Sequence, residues 1–361
     1  MLQDKKWLGL LAGSVLTAFA AGVIAQDEAE PEEAVAEESL DEEVVAEDAA
    51  AAETADAEAA EAEEPAAAKV KPIPSELMPL AAKSMLLDIA NTGERLIAVG
   101  DRGHILASIN GKDWVQVVAP ARSPLTGVTF VDAKTGWAVG HDAVILHTAD
   151  GGRTWALQNF QPELEKPFLD VLFLDAQRGF AVGAYGLFYQ TSDGGKTWSD
   201  VDSPIREDEL HFNSISKLAN GDLLIAGEQG TLAISGDQGA SWEKLVSPYE
   251  SSLFGALPVG EKGAVLFGLR GNVYFSADPR SNEWIALETN TVASMFGGAQ
   301  LASGELALVG LNGAILIVGT DGRTVRQLQT KAGTPLSGVI AAGEDTLIAV
   351  GESGPQRVQV Q

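Results

Sequence analysis

The stretch GWAVGHDAVILHTADGGRTW at residues 136–155 returns as GFAVGAYGLFYQTSDGGKTW at residues 179–198. In both, an apolar run ends at a glycine, a short turn leads into a second apolar run, and a Thr-x-Asp-Gly-Gly-x-Thr-Trp segment follows. Repetition with a period of roughly 20–50 residues is typical of solenoids and propellers. The rest of the chain therefore has to be compared with this pair before any single motif is interpreted.

A tripeptide of two small or apolar residues and a glycine occurs at the same position of each repeat along most of the chain. Successive copies are 40 to 44 residues apart, and the glycines are Gly100, Gly140, Gly183, Gly227, Gly268, Gly310 and Gly351. A second glycine follows three residues later in every repeat except the second, where Ala143 stands. Seven copies in register predict seven equivalent structural units.

Each unit holds four short runs of strand-forming residues separated by glycine-rich turns, and helical periodicity is absent from residue 85 onward. This order of strands and turns is typical of propeller blades. We predict an all-β fold, a seven-bladed β-propeller of four-stranded blades over residues 71–361. The seventh unit ends after three strands. Because an unpaired edge invites aggregation, we expect the segment 72–84 to supply the missing strand.

The turn before the tryptophan carries an Asp box, a Ser/Thr-x-Asp-x-Gly-x-Thr-Trp sequence. TADGGRTW at 148–155 and TSDGGKTW at 191–198 match it fully, whereas the segments at 108–114, 235–242, 276–284 and 319–325 are variants. We interpret the aspartate as an acceptor for backbone N–H groups of the turn and the tryptophan as an apolar plug. The structural residues predicted on this basis are Asp150, Trp155, Asp193, Trp198, Asp237 and Trp242.

The N-terminal 70 residues differ in composition from the repeats. Two lysines precede an uncharged stretch at 7–25, which is typical of a secretory signal peptide cut after Ala25. A stretch of this length also suits an uncleaved membrane anchor. Residues 26–70 are rich in Ala and Glu, with 18 acidic and no basic residues between 27 and 64. We expect a disordered acidic linker there, because it buries too little apolar surface to offset its ordering entropy.

The expected location is therefore periplasmic or otherwise extracytoplasmic, in a bacterial cell envelope. Contact with the membrane is expected through the N-terminal segment only if that segment stays uncleaved.

The composition also narrows the kinds of site and partner that the chain can have. The chain has no cysteine, which excludes a disulfide framework, a thiolate metal site and a lipoprotein anchor. Its net charge of −27 argues against a nucleic-acid partner. The four histidines are scattered, so we predict no metal and no cofactor.

In a propeller, the turns between second and third strands share one face with the connections between blades, and this face surrounds the central channel. We predict that this face binds the partner, because arginine and tyrosine are favoured interface anchors. Four of the arginines are expected to form a basic patch with nearby aromatic residues. The candidate partner-binding residues are Arg102, Arg122, His141, Tyr185, Arg206, Tyr249 and Arg270.

The sequences at 136–155 and 179–198, together with GDRGHIL at 100–106, resemble the photosystem II stability/assembly factor family of Asp-box propellers. The resemblance covers residues 72–361 and is closest to the non-photosynthetic bacterial branch, whose members are often associated with membrane transporters. It implies a seven-bladed propeller that binds a newly made membrane-protein subunit, with arginines on one face. The absent lipoprotein cysteine and the long acidic linker depart from the photosynthetic pattern.

Together these features predict a non-enzymatic, monomeric envelope scaffold or assembly factor whose partner is a membrane protein, a membrane-protein complex or a transporter. A glycan- or lipid-binding module is the alternative, supported by the tyrosines of the predicted face. A sialidase-like glycoside hydrolase is disfavoured. Although sialidases also carry Asp boxes, this chain has seven units and no F-R-I-P strand. Its Glu207, Asp208 and Glu209 lie together in one connection, as solvated charges do.

Overall fold

The computed structural model describes residues 70–360, and the segments predicted as signal or anchor and as acidic linker lie outside them, except for Val70. The described chain is a seven-bladed β-propeller. Each blade is an antiparallel sheet whose strands follow one another in chain order from the innermost to the outermost. Six blades have four strands and the seventh has three.

The strands have the following bounds. Blade 1 contains β1 (Leu86–Asn91), β2 (Leu96–Gly100), β3 (Ile105–Ser108) and β4 (Val115–Val117); blade 2 contains β5 (Leu125–Phe130), β6 (Gly136–Gly140), β7 (Ile145–Thr148) and β8 (Ala156–Asn159); blade 3 contains β9 (Phe168–Phe173), β10 (Gly179–Gly183), β11 (Phe188–Thr191) and β12 (Ser199–Asp200). Blade 4 contains β13 (Phe212–Lys217), β14 (Leu223–Gly227), β15 (Leu232–Ser235) and β16 (Glu243–Lys244); blade 5 contains β17 (Leu253–Val259), β18 (Gly263–Gly268), β19 (Val273–Ser276) and β20 (Ile285–Ala286). Blade 6 contains β21 (Met295–Gln300), β22 (Leu306–Gly310), β23 (Ala314–Val318) and β24 (Val325–Gln329); blade 7 contains β25 (Leu336–Ala341), β26 (Thr346–Gly351) and β27 (Gln356–Gln359).

The helical elements of the described chain are single 3₁₀ turns. They are Ala81–Lys83, Asp101–Gly103, Pro162–Leu164, Ala184–Gly186, Pro204–Arg206, Glu228–Gly230, Leu269–Gly271, Pro279–Ser281 and Leu311–Gly313. Within residues 70–360, no helix has the length and apolar character needed to cross a membrane.

The first glycine of each repeat ends the second strand and lies against the entry to the innermost strand. In blade 6, a Cβ on Gly310 would collide with the backbone carbonyl of Ser294, and the N–H of Leu311 donates to that same oxygen (3.0 Å). The other six blades repeat this arrangement with their own glycine and entry carbonyl. The backbone there is extended (φ −167° at Gly310), so glycine is needed for close approach and not for a left-handed turn.

The second glycine, which every repeat except the second has, brings the connection between blades onto the turn. Gly103 has φ +68°, and a Cβ on it would lie 2.9 Å from the Cα of Arg122 in the connection to blade 2. Equivalent contacts join Gly186 to Arg206, Gly230 to Tyr249 and Gly271 to Thr291. The first glycine therefore holds the turn against the entry to the innermost strand, and the second holds it against a connection between blades. These turns and connections form the loop-bearing face described below.

Apolar clusters fill the seams between neighbouring blades, and the seam between blades 7 and 1 is no exception. It contains Leu86, Leu106, Ile348 and Val350, all essentially inaccessible to solvent. The hydroxyl of Ser337 in β25 also donates to the carbonyl oxygen of Leu86 in β1 (2.7 Å). Blade 7 thus packs on blade 1, and the ring is closed by side-chain packing.

The prediction that residues 72–84 supply the fourth strand of blade 7 is wrong. Ser75 instead exchanges two hydrogen bonds with Ala119, just beyond β4 of blade 1 (2.9 and 2.8 Å). Gln116 in β4 holds the same segment through the Glu76 carbonyl oxygen (2.8 Å) and the Met78 N–H (2.7 Å). The segment therefore lies along the edge of the first blade.

The sequence KPIPSELMP at 71–79 explains why this segment is not a strand. Its three prolines lack an N–H group and cannot form a regular ladder. After them the chain turns at Ala81–Lys83, where a Cβ on Gly354 of blade 7 would collide with the backbone of Ala82. In the other blades that have a second glycine, a connection between blades touches it, so this segment occupies the position that a connection from blade 7 to blade 1 would take.

The Asp-box carboxylates bind their own turns. Asp150 accepts hydrogen bonds from the N–H groups of Arg153 and Thr154 (both 2.9 Å) and from the hydroxyl of Thr154 (2.6 Å). Asp193 and Asp237 form corresponding bonds with the residues of their own boxes. Burial opposes these bonds, and at Asp150 it is the largest single effect, but the bonds together lower the pKa of each of the three carboxyl groups to about 2. Because these carboxylates accept hydrogen bonds from their own turns, their role is to stabilise the turns.

The box tryptophans fill the seams. Trp155 packs edge-on against Phe130 within the cluster between blades 1 and 2. Trp198 meets Phe173 in the next seam, and Trp242 meets Phe180 in the one after it. Each tryptophan therefore ties its blade to the preceding one.

The central channel contains two aspartates that link neighbouring inner strands. Asp88 in β1 accepts a hydrogen bond from the N–H of Val128 in β5 (2.8 Å), and Asp170 in β9 accepts one from Ile215 in β13 (2.9 Å). Loss of hydration raises the pKa of Asp88 to about 7 and that of Asp170 to about 6, despite these backbone bonds. Each carboxyl group thus links one blade to the next through a backbone hydrogen bond.

We expect Gly310→Ala to destabilise the propeller by about 3 kcal/mol or more, because the methyl group and the Ser294 carbonyl cannot share the same space. Gly221→Ala is the control. Its methyl group meets open space, so only the left-handed backbone costs energy, about 1 kcal/mol. Urea unfolding measures both, and equal losses would contradict a steric role for the first glycine.

The raised pKa of Asp88 predicts how the stability of the propeller depends on pH. Between pH 4 and 7 the folded protein holds a proton that the unfolded chain has released, so this group's contribution to stability falls as the pH rises. Asp88→Asn keeps an acceptor for Val128 but does not titrate. We expect the stability of the wild type relative to this variant to fall by roughly 2–3 kcal/mol from pH 5 to pH 8. Urea unfolding across that range checks it, and parallel curves would show that Asp88 is not the titrating group.

Candidate functional site: the loop-bearing face

The loop-bearing face comprises the seven turns between second and third strands and the connections between blades. The antiparallel order of each sheet puts these segments at one end of the strands and the Asp boxes at the other. The second residue of six of the seven turns is not glycine and yet has a left-handed backbone. Five of these residues are Arg102, Tyr185, Gln229, Arg270 and Asn312, with φ between 50° and 57°, and the sixth is Asp142 of blade 2 (φ 60°).

This conformation costs non-glycine residues free energy, and strained residues of this kind collect at functional sites. The strain also has a geometric result. It places the second side chain of each turn at the outermost point of the face, where Arg102, Tyr185 and Arg270 are exposed. The sequence predicted these three as partner-binding residues, and the structure shows which feature presents them to solvent.

Arg102, Arg122 and His141 lie on the part of the face built by blades 1 and 2. Arg102 and Arg122 are exposed, and the connection that carries Arg122 rests on the turn that carries Arg102. His141 is half-buried, and loss of hydration lowers its pKa, with the nearby carboxylates of Asp142 and Asp101 opposing the shift. This sector therefore offers two cationic side chains beside an imidazole that burial keeps neutral more readily than a free one.

Tyr185 is the centre of a second sector, on blade 3. Its ring is 40% exposed and meets the imidazole of His211 edge-on, with 4.7 Å between ring centroids. The ammonium group of Lys166 lies 6.0 Å from the same ring and donates to the Tyr185 carbonyl oxygen (3.2 Å). The imidazole already faces the Glu228 carboxylate (Nδ1 to Oε2 3.8 Å), so the aromatic ring and Lys166 are the groups left to meet a peptide.

Arg206 has a different role from the one expected. Its Nε donates to the carbonyl oxygen of Gly186 (2.7 Å), and its Nη1 contacts both the Asp200 carboxylate and the Val201 carbonyl oxygen. Only a quarter of the side chain is exposed. The guanidinium group therefore holds the connection to blade 4 against the turn of blade 3, so little of it is free for a partner.

Tyr249 and Arg270 lie on the turns and connections of blades 4 and 5. Tyr249 is half-buried, and its ring lies 6.0 Å from that of Tyr274. Arg270 is exposed, and its backbone N–H donates to the hydroxyl of Ser294 (3.1 Å). Of this pair, only Arg270 presents a largely free side chain.

The four arginines do not form the single basic patch that was expected. Arg102 and Arg122 are together on blade 1, whereas Arg206 belongs to the connection after blade 3 and Arg270 to blade 5. Positive charge is thus distributed around the ring in separate sectors, because equivalent turns of different blades are kept apart by the fold.

Sequence reasoning missed two features near this site. Lys166 was not recognised, because its proximity to Tyr185 depends on how the connection from blade 2 folds back. The acids of the channel, Asp88 and Asp170, were also missed, although each is an acid within an otherwise apolar inner strand, as LLDIAN and FLDVLF show. Among residues 70–360, no group of three or more His, Asp or Glu side chains is placed to hold a metal ion.

Comparison with known proteins agrees with this architecture. The family model described as photosynthesis system II assembly factor YCF48 matches residues 106–165 and 157–335. A chloroplastic photosystem II stability/assembly factor, HCF136 of Cyanidioschyzon merolae, is 30% identical over 96 residues. That alignment spans 25% of this chain and only 22% of the relative.

Two solved structures show the fold at greater length. YCF48 bound to a D1 peptide superimposes with a TM-score of 0.63 at 20% identity, over 81% of this chain and 100% of that one. Streptogramin B lyase gives 0.64 at 11% identity, over 79% and 96%. At such low identity both matches establish the propeller alone. The family model covers more than half of the chain, and the protein therefore belongs to the photosynthesis system II assembly factor YCF48 family.

Proposed function

We propose that this protein is a non-enzymatic scaffold or assembly factor that binds a segment of a membrane protein, or of a transporter, through its loop-bearing face. The observation that carries the proposal is the outward, left-handed presentation of Arg102, Tyr185 and Arg270 on a rigid ring. Because the ring fixes the backbone of these anchors, binding costs little backbone entropy. A member of the same family is known in complex with a D1 peptide, which supports a polypeptide ligand here.

An enzymatic activity, such as that of a sialidase-like glycoside hydrolase, is the less favoured competitor, and streptogramin B lyase shows that an enzyme can share the fold. Fold alone does not decide function. The carboxylates of this protein favour the scaffold. Asp150, Asp193 and Asp237 are saturated by their own turns, and Asp88 and Asp170 accept backbone N–H groups of neighbouring blades. Acids with such fixed structural partners are poorly placed for proton transfer.

A glycan- or lipid-binding module is the other alternative, and the two tyrosines separate it from the scaffold. Stacking on a sugar needs an open ring face, whereas Tyr249 is half-buried beside Tyr274. Tyr185 is more open, but Lys166 lies near its ring and His211 meets it edge-on. A ring crowded in this way favours a peptide over a stacked sugar.

The place of action is part of the same proposal. Export and tethering rest on the uncharged stretch at 7–25 and the acidic segment after it, both outside the described residues. We expect the mature chain to begin at Gln26 if the stretch is a signal peptide, and to fractionate with membranes if it is an anchor. Intact-mass measurement of the protein purified from cells distinguishes the two, and a full-length chain in the cytosol would contradict export.

We expect Arg102→Ala combined with Arg270→Ala to reduce recovery of the membrane partner by about tenfold, because two exposed anchors are lost. The measurement is quantitative mass spectrometry after crosslinking in intact cells. Lys134→Ala combined with Lys196→Ala is the matched control. It also removes two exposed cations, but from the Asp-box end of the blades.

An unchanged partner list in the arginine variant, or an equal loss in the lysine control, would overturn the role of the loop-bearing face. Retention of the wild type on peptidoglycan or polysaccharide without a protein partner would favour the glycan module instead.

A further inference from the structure

The outermost strand of blade 7, β27 (Gln356–Gln359), has a neighbour on one side only. Every other blade covers its third strand with a fourth, but no residue between 70 and 360 pairs with the outer edge of β27. The N-terminal segment that was expected there is bonded to blade 1 through Ser75 and Gln116. The edge is therefore available within the described chain.

The hydrogen-bond register shows which backbone groups face outward. The N–H of Gly354 donates to the Gly351 carbonyl oxygen, and the N–H of Val360 donates to that of Asp345. Because hydrogen-bonded residues alternate along an antiparallel strand, Gln356 and Val358 turn their backbone groups toward β26. Arg357 and Gln359 consequently turn theirs away from the sheet, toward the open edge.

The edge carries few of the devices that block strand addition. β27 is short (4 residues) and Pro355 borders it, but its pairing with β26 runs without a bulge and β27 itself contains no proline. The side chains of Arg357 and Gln359 are exposed. Arg357 has no ionic partner among residues 70–360, so its positive charge is available to a ligand.

Arg326 of blade 6 adds to the basic character of this region. Its guanidinium group donates to the carbonyl oxygen of Val360 (2.9 Å), at the end of β27. One of its nitrogens also lies 3.9 Å from the Glu305 carboxylate. Two arginines therefore accompany a ladder of unpaired backbone groups, which suits an extended strand that carries acidic side chains.

We propose that the open edge of β27 is a second docking site, which takes up an extended acidic segment of a partner polypeptide as the fourth strand of blade 7. This inference rests on the proposed function only in assuming a polypeptide partner, and it uses a different surface. The chain's own acidic segment is a poorer occupant, because Ala, Glu and Asp are depleted in strands. A second copy would place two Arg357 side chains on one short ladder, where like charges repel.

The test uses the full-length protein and a synthetic probe, acetyl-Thr-Glu-Val-Glu-Val-Thr-Glu-Val-amide. We expect the probe to slow hydrogen exchange at the amides of Arg357 and Gln359 and to raise the melting temperature. A probe with the same sequence and N-methylated alternate residues should do neither, since it cannot extend the ladder. No protection at millimolar concentrations of the first probe would overturn the proposal.

Substitutions at Gln359 separate strand addition from nonspecific attraction. Gln359→Pro removes an outward N–H and leaves the ladder to β26 intact, so the fold should persist while affinity for the probe falls by about tenfold or more. Gln359→Thr is the matched control and should bind as the wild type does. Equal binding by the two variants would contradict docking at this edge.

A charge exchange tests the acidic preference. Arg357→Glu should lower the affinity for the acidic probe by about threefold to tenfold. It should raise the affinity for a probe in which lysine replaces each glutamate. If this substitution leaves the affinity for both probes unchanged, Arg357 has no role in binding them.

Two results would assign the edge to another occupant and overturn the proposal. Protection of the Arg357 and Gln359 amides without any probe, independent of protein concentration, would show that the chain fills the edge itself. Protection that increases with protein concentration would show pairing of two copies. The variant that combines Arg102→Ala with Arg270→Ala should bind the probe normally, so failure of the loop-bearing face and failure of this edge are distinguishable.

Discussion

The close approach of a backbone carbonyl to a glycine, repeated in every blade, is the constraint on which this structure depends. In each blade the chain enters the innermost strand by passing over the last residue of the second strand, and only a residue without a side chain leaves room. The same carbonyl oxygen then accepts the N–H of the next residue. This one contact sets the position of the turn, and the turn carries the residues that face a partner.

The packing between blades follows from that geometry. Each blade presents apolar residues to both neighbours, and the box tryptophans fill the space between them. Inside the ring, Asp88 and Asp170 replace part of this packing with hydrogen bonds to adjacent inner strands. Closure between blades 7 and 1 needs no shared sheet, because the apolar seam and the bond from Ser337 to Leu86 hold the ring.

The glycine register and the Asp boxes were enough to predict seven blades, their strand order and the face that carries the turns, because these features are local and recur. Closure was predicted wrongly. Prolines 72, 74 and 79 keep the N-terminal segment from forming a strand, and the sequence does not reveal that Gln116 and Ala119 bind it instead. At the site, exposure of Arg102 and Arg270 follows from the turn, but the internal bonds of Arg206 depend on the fold of a connection.

The central claim is that the loop-bearing face, and not the Asp-box end, meets a membrane protein. Site-specific photocrosslinking in living cells tests it most directly, with p-benzoylphenylalanine placed at Arg102 in one strain and at Lys196 in another. We expect a single adduct with an integral membrane protein from position 102 and none from position 196. An adduct from position 196 alone would contradict the account.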